Sequence, residues 1–127
     1  MQEFMLELAE CDELIFIRGN HEDLLMLMLN EIEKSYNDGY PRINQRRIHN
    51  GTFDTAIQLA GYQSNEITIR NIPDFLSKVR NSPFCSKLIP QSINCFETKH
   101  YIFVHGWIPC KKGFEVDIPY EFDPSWR

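Results

Sequence analysis

No stretch of this sequence is apolar for long enough to cross a bilayer: the longest near-apolar run is Leu24 to Leu29, against the ~20 residues a spanning helix needs. Basic residues are outnumbered, 13 Lys and Arg against 18 Asp and Glu, and the net charge of −5 excludes a general nucleic-acid binder with a basic face. An anionic substrate stays open, because bound cations supply positive charge locally. Cysteine is sparse. Cys11, Cys85, Cys95 and Cys110 form neither a CxxC pair nor a tight disulfide framework, which points to reduced thiols in a cytoplasmic protein. The first residues, MQEFMLELAECDE, are acidic and lack the positive flank of a secretory signal. No internal repeat, low-complexity tract or linker divides the 127 residues, so a single domain over 1–127 is expected.

What is present is ordinary globular composition, 43% hydrophobic and 24% charged, which is enough for one real core. Phe4, Met5, Leu8 and Ala9 at helical spacing predict a short helix over 2–10. Leu14 to Ile17 is a continuous apolar run, as expected of a strand buried on both faces. Asn20 then makes a good N-cap for a helix to about Tyr36, with Glu22 and Asp23 in its first turn. Leu25, Met28, Leu29, Ile32 and Tyr36 mark its inner face, and the run of Leu and Met there is core. Residues 37–51 read as polar and irregular, 52–60 as a helix, and Pro73 as part of the first turn of another. Two strands are predicted over 88–97 and 100–105, joined by a tight turn at Thr98-Lys99, followed by a packed loop to the C-terminus.

The chemistry lies where apolar runs stop. LIFIRGNHE at 14–22 ends a strand pattern on Gly19 and puts Asn20, His21 and Glu22 at a helix start, where unpaired N–H groups favour an anion. Histidine is the side chain best suited to deliver a proton near neutral pH. An asparagine offers an amide oxygen to a cation and an NH₂ to a phosphate oxygen. YIFVHGW at 101–107 has the same shape and ends on His105, an imidazole of the kind that ligates transition metals. Set against these readings, Asn20 as a plain cap, His21 as an exposed first-turn residue and His105 as a satisfied strand-end histidine each explain one residue alone. Cys95, His100, His105 and Cys110 lack zinc-knuckle spacing, and strand alternation separates 100 from 105. The cluster of Arg42, Arg46 and Arg47 reads as a solvated loop before it reads as a phosphate grip.

Taken together, GNHE at 19–22 and VHG at 104–106, with HNGTFDTAIQLAG at 49–61 between them, resemble the calcineurin-like metallophosphoesterases, in particular their bacterial serine/threonine protein phosphatase branch. That resemblance implies an α/β fold, a partial sandwich of mixed β-sheets flanked by helices. It implies Asn20 and His105 as ligands of a dinuclear centre of two divalent metal ions (Mn, Fe or Zn), and His21 as the acid that protonates the leaving group. Hydrolysis of a phosphoprotein or small phosphoester by two-metal hydroxide attack follows, with Glu22 complementing the helix dipole. The family's Asp-x-His and Gly-Asp-x-x-Asp-Arg-Gly segments before GNHE, and its Gly-His-x-His after VHG, do not occur in this sequence. The chain therefore resembles the middle of such a protein, with weak or no metal binding by these residues alone, and exposed sheet edges open to self-association. The alternative expectation is a catalytically inactive remnant that binds phosphate or a partner.

Overall fold

The computed structural model describes Phe4, Glu7, Leu8 and residues 14–106. Phe4, Glu7 and Leu8 are helical, and the rest of the helix predicted over 2–10 lies outside the described residues, as does the predicted loop beyond 106. Helices dominate. They are α1 (Asn20–Asn37), α2 (Gln45–His49), α3 (Thr52–Ala60), α4 (Ile72–Asn81) and α5 (Ile89–Gln91). Short 3₁₀ turns at Ser64–Glu66 and Ile69–Asn71 lead into α4, and a π-helical turn, Phe84–Leu88, leads into α5. No helix among the described residues is long and apolar enough to cross a membrane.

The core is built on one face of α1. Leu25, Met28, Leu29 and Ile32 repeat at spacings of three and four, so they share a face, and all four are buried. Ala56 and Ile57 from α3 and Ile72, Phe75, Leu76 and Val79 from α4 belong to the same cluster, with Phe84, Cys85, Leu88 and Ile89 closing it. Phe75 is its largest fully buried side chain, met edge-on by Phe53 at 6.1 Å and by Tyr62 at 6.0 Å between ring centres. Tyr36, expected on the same face of α1, is half-buried at its margin.

The mixed-sheet sandwich is not what the chain forms. The described residues make one two-stranded antiparallel sheet, β1 (Cys95–Glu97) with β2 (Ile102–Val104), and an isolated parallel bridge between Ile17 and Ile93. Two misread apolar runs account for the difference. Leu14 to Ile17 forms no strand but a single bridge, at Ile17, and Leu14 and Ile15 are exposed rather than buried on both faces. In the predicted strand 88–97, Leu88 and Ile89 continue the spacing of Phe84 and Cys85 four residues earlier, which is a helical face turned to the core. Only Cys95–Glu97 of that run is strand. The hairpin itself is present. Thr98 N–H donates to the Tyr101 carbonyl at 2.8 Å, closing the turn.

Polar side chains fix the helices to one another. Arg80 makes a bidentate pair with Glu33, at 2.9 and 2.8 Å, and reaches Asn30 at 3.1 Å, tying α4 to α1. At the start of α3, Asn50 Oδ1 accepts from both the N–H (3.1 Å) and the hydroxyl (2.7 Å) of buried Thr52. Gly51 between them has φ +76°, a conformation that favours glycine. On the outside, the Tyr62 hydroxyl donates to Asp74 at 2.6 Å and Lys78 pairs with the same carboxylate at 3.0 Å. Those two bonds, Tyr62's the stronger influence, hold the Asp74 carboxyl below its ordinary 3.8.

Phe75→Ala should destabilise the fold by about 3–5 kcal/mol, read from the denaturant midpoint, whereas Ile69→Ala, at an exposed site, should stay within about 0.5 kcal/mol. Because the Asp74 carboxyl is depressed in the folded state, its contribution is present above 3.8 and is lost as pH falls through the lower folded value. Asp74→Asn should therefore lower stability at neutral pH and flatten the acid limb of the stability–pH curve, so that the variant and the unsubstituted protein converge at low pH; an unaltered acid limb would show that the clasp contributes nothing.

Candidate functional site

Three devices converge on the start of α1. The first is the bridge at Ile17: Arg18 N–H donates to the Ile93 carbonyl, and Ile93 N–H donates to the Phe16 carbonyl, each at 2.8 Å. The second is the Arg18 side chain, whose Nε donates to Ser92 Oγ at 3.0 Å and whose Nη2 donates to the Ile89 carbonyl at 2.9 Å. Asp23 lies 3.9 Å from its remaining nitrogen, a long pair that adds little. Together these pin residues 16–18 to residues 89–93 and so fix where α1 begins.

The third device is the register of the hairpin. Two residues beyond Ile93 the chain enters β1 at Cys95, which pairs with Val104 of β2, so His105 returns to the level of Asn94. That return sets the His105 ring against Gly19. A Cβ placed on Gly19 would lie 3.2 Å from both Cδ2 and Cε1 of the ring, and 2.8 Å from Glu22 Oε2. Gly19 is buried, while Asn20, His21 and His105 are exposed. The sequence thus brings His105 against the residue immediately before Asn20, through a bridge and a hairpin rather than a shared sheet.

The helix start differs from the predicted one by a residue. Gly19 is the N-cap, with φ −97° and ψ 172°, and Asn20 is the first helical residue. Asn20 therefore does not cap the helix, and the cap residue, a glycine, has no side chain to offer the first-turn N–H groups. Glu22 does more than complement the dipole: its Oε2 accepts from Gly19 N–H at 2.8 Å, one half of a capping box. Beside the site a cavity of about 40 Å³, lined by Phe16, Ile17, Arg18, Glu22, Leu88, Ile89 and Ser92, has room for a water and for no substrate. The candidate site is an open helix tip.

Other candidates drop away on geometry. Arg47 is paired with Glu31 of α1, at 3.2 and 3.4 Å, and serves to hold α2 on the bundle. Arg42 and Arg46 are exposed. Cys85 is a core residue whose thiol is pushed up by burial, against a smaller opposing effect of the Ser82 hydroxyl, which is the opposite of an activated nucleophile. Among the described residues no three of the His, Cys, Asp and Glu side chains are grouped to hold a metal ion. A dinuclear centre needs a bridging carboxylate in addition to Asn20 and His105, so the described residues do not fit one. Cys95, His100 and His105 likewise form no zinc site, and Cys110 lies outside the described residues.

Comparison of the chain with known protein families, with curated proteins and with solved structures found no match.

Arg18 and Ser92 were not singled out by the sequence, and no local pattern links residues so far apart. Arg18→Lys keeps the charge but cannot reproduce two donors in a fixed fork. It should cost about 1–3 kcal/mol, and amide exchange at Ile93 should accelerate ahead of exchange in α4. Equal acceleration in both would mean that Arg18 does not hold this corner specifically.

Proposed function

We propose that the α1 tip is the phosphate-facing part of a phosphoester-hydrolysing site of the phosphoprotein phosphatase type, acting on a phosphoprotein or small phosphoester. The observation that carries this reading is the His105 ring lying on Gly19, which gathers GNHE and VHG at one helix start. In this reading the first-turn N–H groups and the Asn20 amide bind phosphate oxygens, and the His105 imidazole flanks them. As a water attacks phosphorus and forms the new P–O bond, the ester P–O bond breaks and His21, exposed in the first turn, delivers the proton to the departing alkoxide, releasing the alcohol and inorganic phosphate. The unpaired thiols Cys85 and Cys95 accord with a cytoplasmic setting. One observation favours a second reading, a non-catalytic phosphate-binding module: the described residues offer no complete set of metal ligands.

The leaving group separates the two readings. If His21 is the acid, His21→Ala should lower turnover of a phosphoserine peptide by on the order of 10²–10⁴-fold, with a much smaller loss on nitrophenyl phosphate, whose leaving group departs unprotonated. Equal losses on both substrates would overturn the assignment of His21 as acid. No turnover of either by the unsubstituted protein, together with saturable binding of inorganic phosphate, would establish the binding module. Titration with phosphate should then perturb the amides of residues 19–22 first, in the millimolar range that corresponds to about −4 kcal/mol.

A further inference from the structure

We propose that Gly19 is the positioning residue of this site, its missing side chain being the seat on which the His105 ring rests. Glycine is usually required where the backbone adopts a positive φ, and that reason does not operate here. Gly19 has φ −97° and ψ 172°, extended backbone that alanine adopts freely. What excludes a side chain is space. The would-be Cβ meets Glu22 Oε2 at 2.8 Å and two ring carbons of His105 at 3.2 Å.

The two neighbours can respond differently. Glu22 Oε2 ends a flexible side chain and can swing out, at the cost of its bond from Gly19 N–H. His105 follows directly on β2, whose register with β1 is fixed at Val104 and Cys95, while Gly19 follows directly on Arg18, held to Ile93, Ser92 and Ile89. Backbone on both sides of the contact is thus tied to the same stretch, residues 89–95, and has little freedom to part. A methyl group at position 19 therefore pushes the ring off its place against Gly19 by a few tenths of an ångström. The catalytic and binding roles of Asn20 and His21 rest on the function proposed above; the seat rests on the contact alone.

Because Gly19→Ala by itself disturbs both neighbours, the test is made in a Glu22→Ala background of the full chain. The His105 ring carbons and their protons are observed by NMR and assigned by their disappearance in His105→Ala. Glu22→Ala alone should leave these signals near their original positions, and adding Gly19→Ala should shift them clearly. Phosphate affinity should fall with the second step by about threefold, as expected for a group displaced by a few tenths of an ångström. Unmoved ring signals, or unchanged phosphate affinity with a displaced ring, would overturn the proposal. Should the double variant be too unstable for NMR, thermal midpoints of Gly19→Ala in the otherwise unsubstituted chain decide. With His105→Ala added, Gly19→Ala should lose most of its destabilising effect, whereas equal destabilisation with and without the ring would contradict the seat. No phosphate response in the unsubstituted chain overturns the functional reading, and with it the positioning role, even where the ring is seen to move.

Discussion

Leu25, Met28, Leu29 and Ile32 lie on one face of α1, and α3, α4 and the Phe84–Ile89 segment close against that face. Each such side chain taken from water contributes about 1.5–3 kcal/mol, and a stripe shared by α3, α4 and the Phe84–Ile89 segment cannot be vacated piecemeal. Arg80 on α4 and Arg47 on α2 then grip Glu33 and Glu31 on either flank, setting the rotation of α1 rather than its depth. The consequence reaches beyond the core. A helix held along its length presents its first turn at a fixed place, and the first turn is where Asn20 and His21 sit.

The site is an outcome of how a helical core meets a small β element. Residues 89–93 belong to both: Ile89 is buried with the helices, while Ser92 and Ile93 hold Arg18 and Ile17. From that shared segment the hairpin runs out and back, and its register decides which residue returns to the helix tip. A shift of one residue in the pairing of Cys95 with Val104 would turn His105 to the opposite face. Distance along the chain is therefore converted to proximity by a few hydrogen bonds, and the absence of a side chain at Gly19 makes the last approach close.

Much of this was legible beforehand, and the failures have identifiable causes. The apolar spacing of α1, the span of α3 and Pro73 in the first turn of α4 are local features, and each formed as its pattern indicates, while the hairpin formed with its turn at Lys99-His100, one residue beyond the predicted Thr98-Lys99. Short apolar runs are where pattern reading breaks down, because a buried strand and a buried helical turn look alike over four to six residues. Leu88-Ile89 went to a helix because Phe84 and Cys85 lie one turn earlier; Leu14-Ile15 stayed exposed, with no second strand along it among the described residues. The sandwich expected from resemblance fails on those two segments. At the site, the junction of glycine, asparagine and histidine was visible in the sequence. Its cap lies one residue earlier than Asn20, and the reason, Glu22 reaching back to Gly19 N–H, is a pattern readable only once the start is known. The Arg18–Ser92 bond has no sequence signature at all.

The claim on which the account turns is that His105 and the start of α1 are neighbours. A NOESY experiment on the isotopically labelled chain tests it directly through the Hδ2 and Hε1 protons of the His105 ring. The structure predicts cross-peaks from these ring protons to the Hα protons of Gly19, accompanied by a cross-peak between the Ile93 amide proton and the Hα of Ile17 across the parallel bridge. Ring cross-peaks confined to β1, β2 and their turn, with none to residues 18–22, would contradict it.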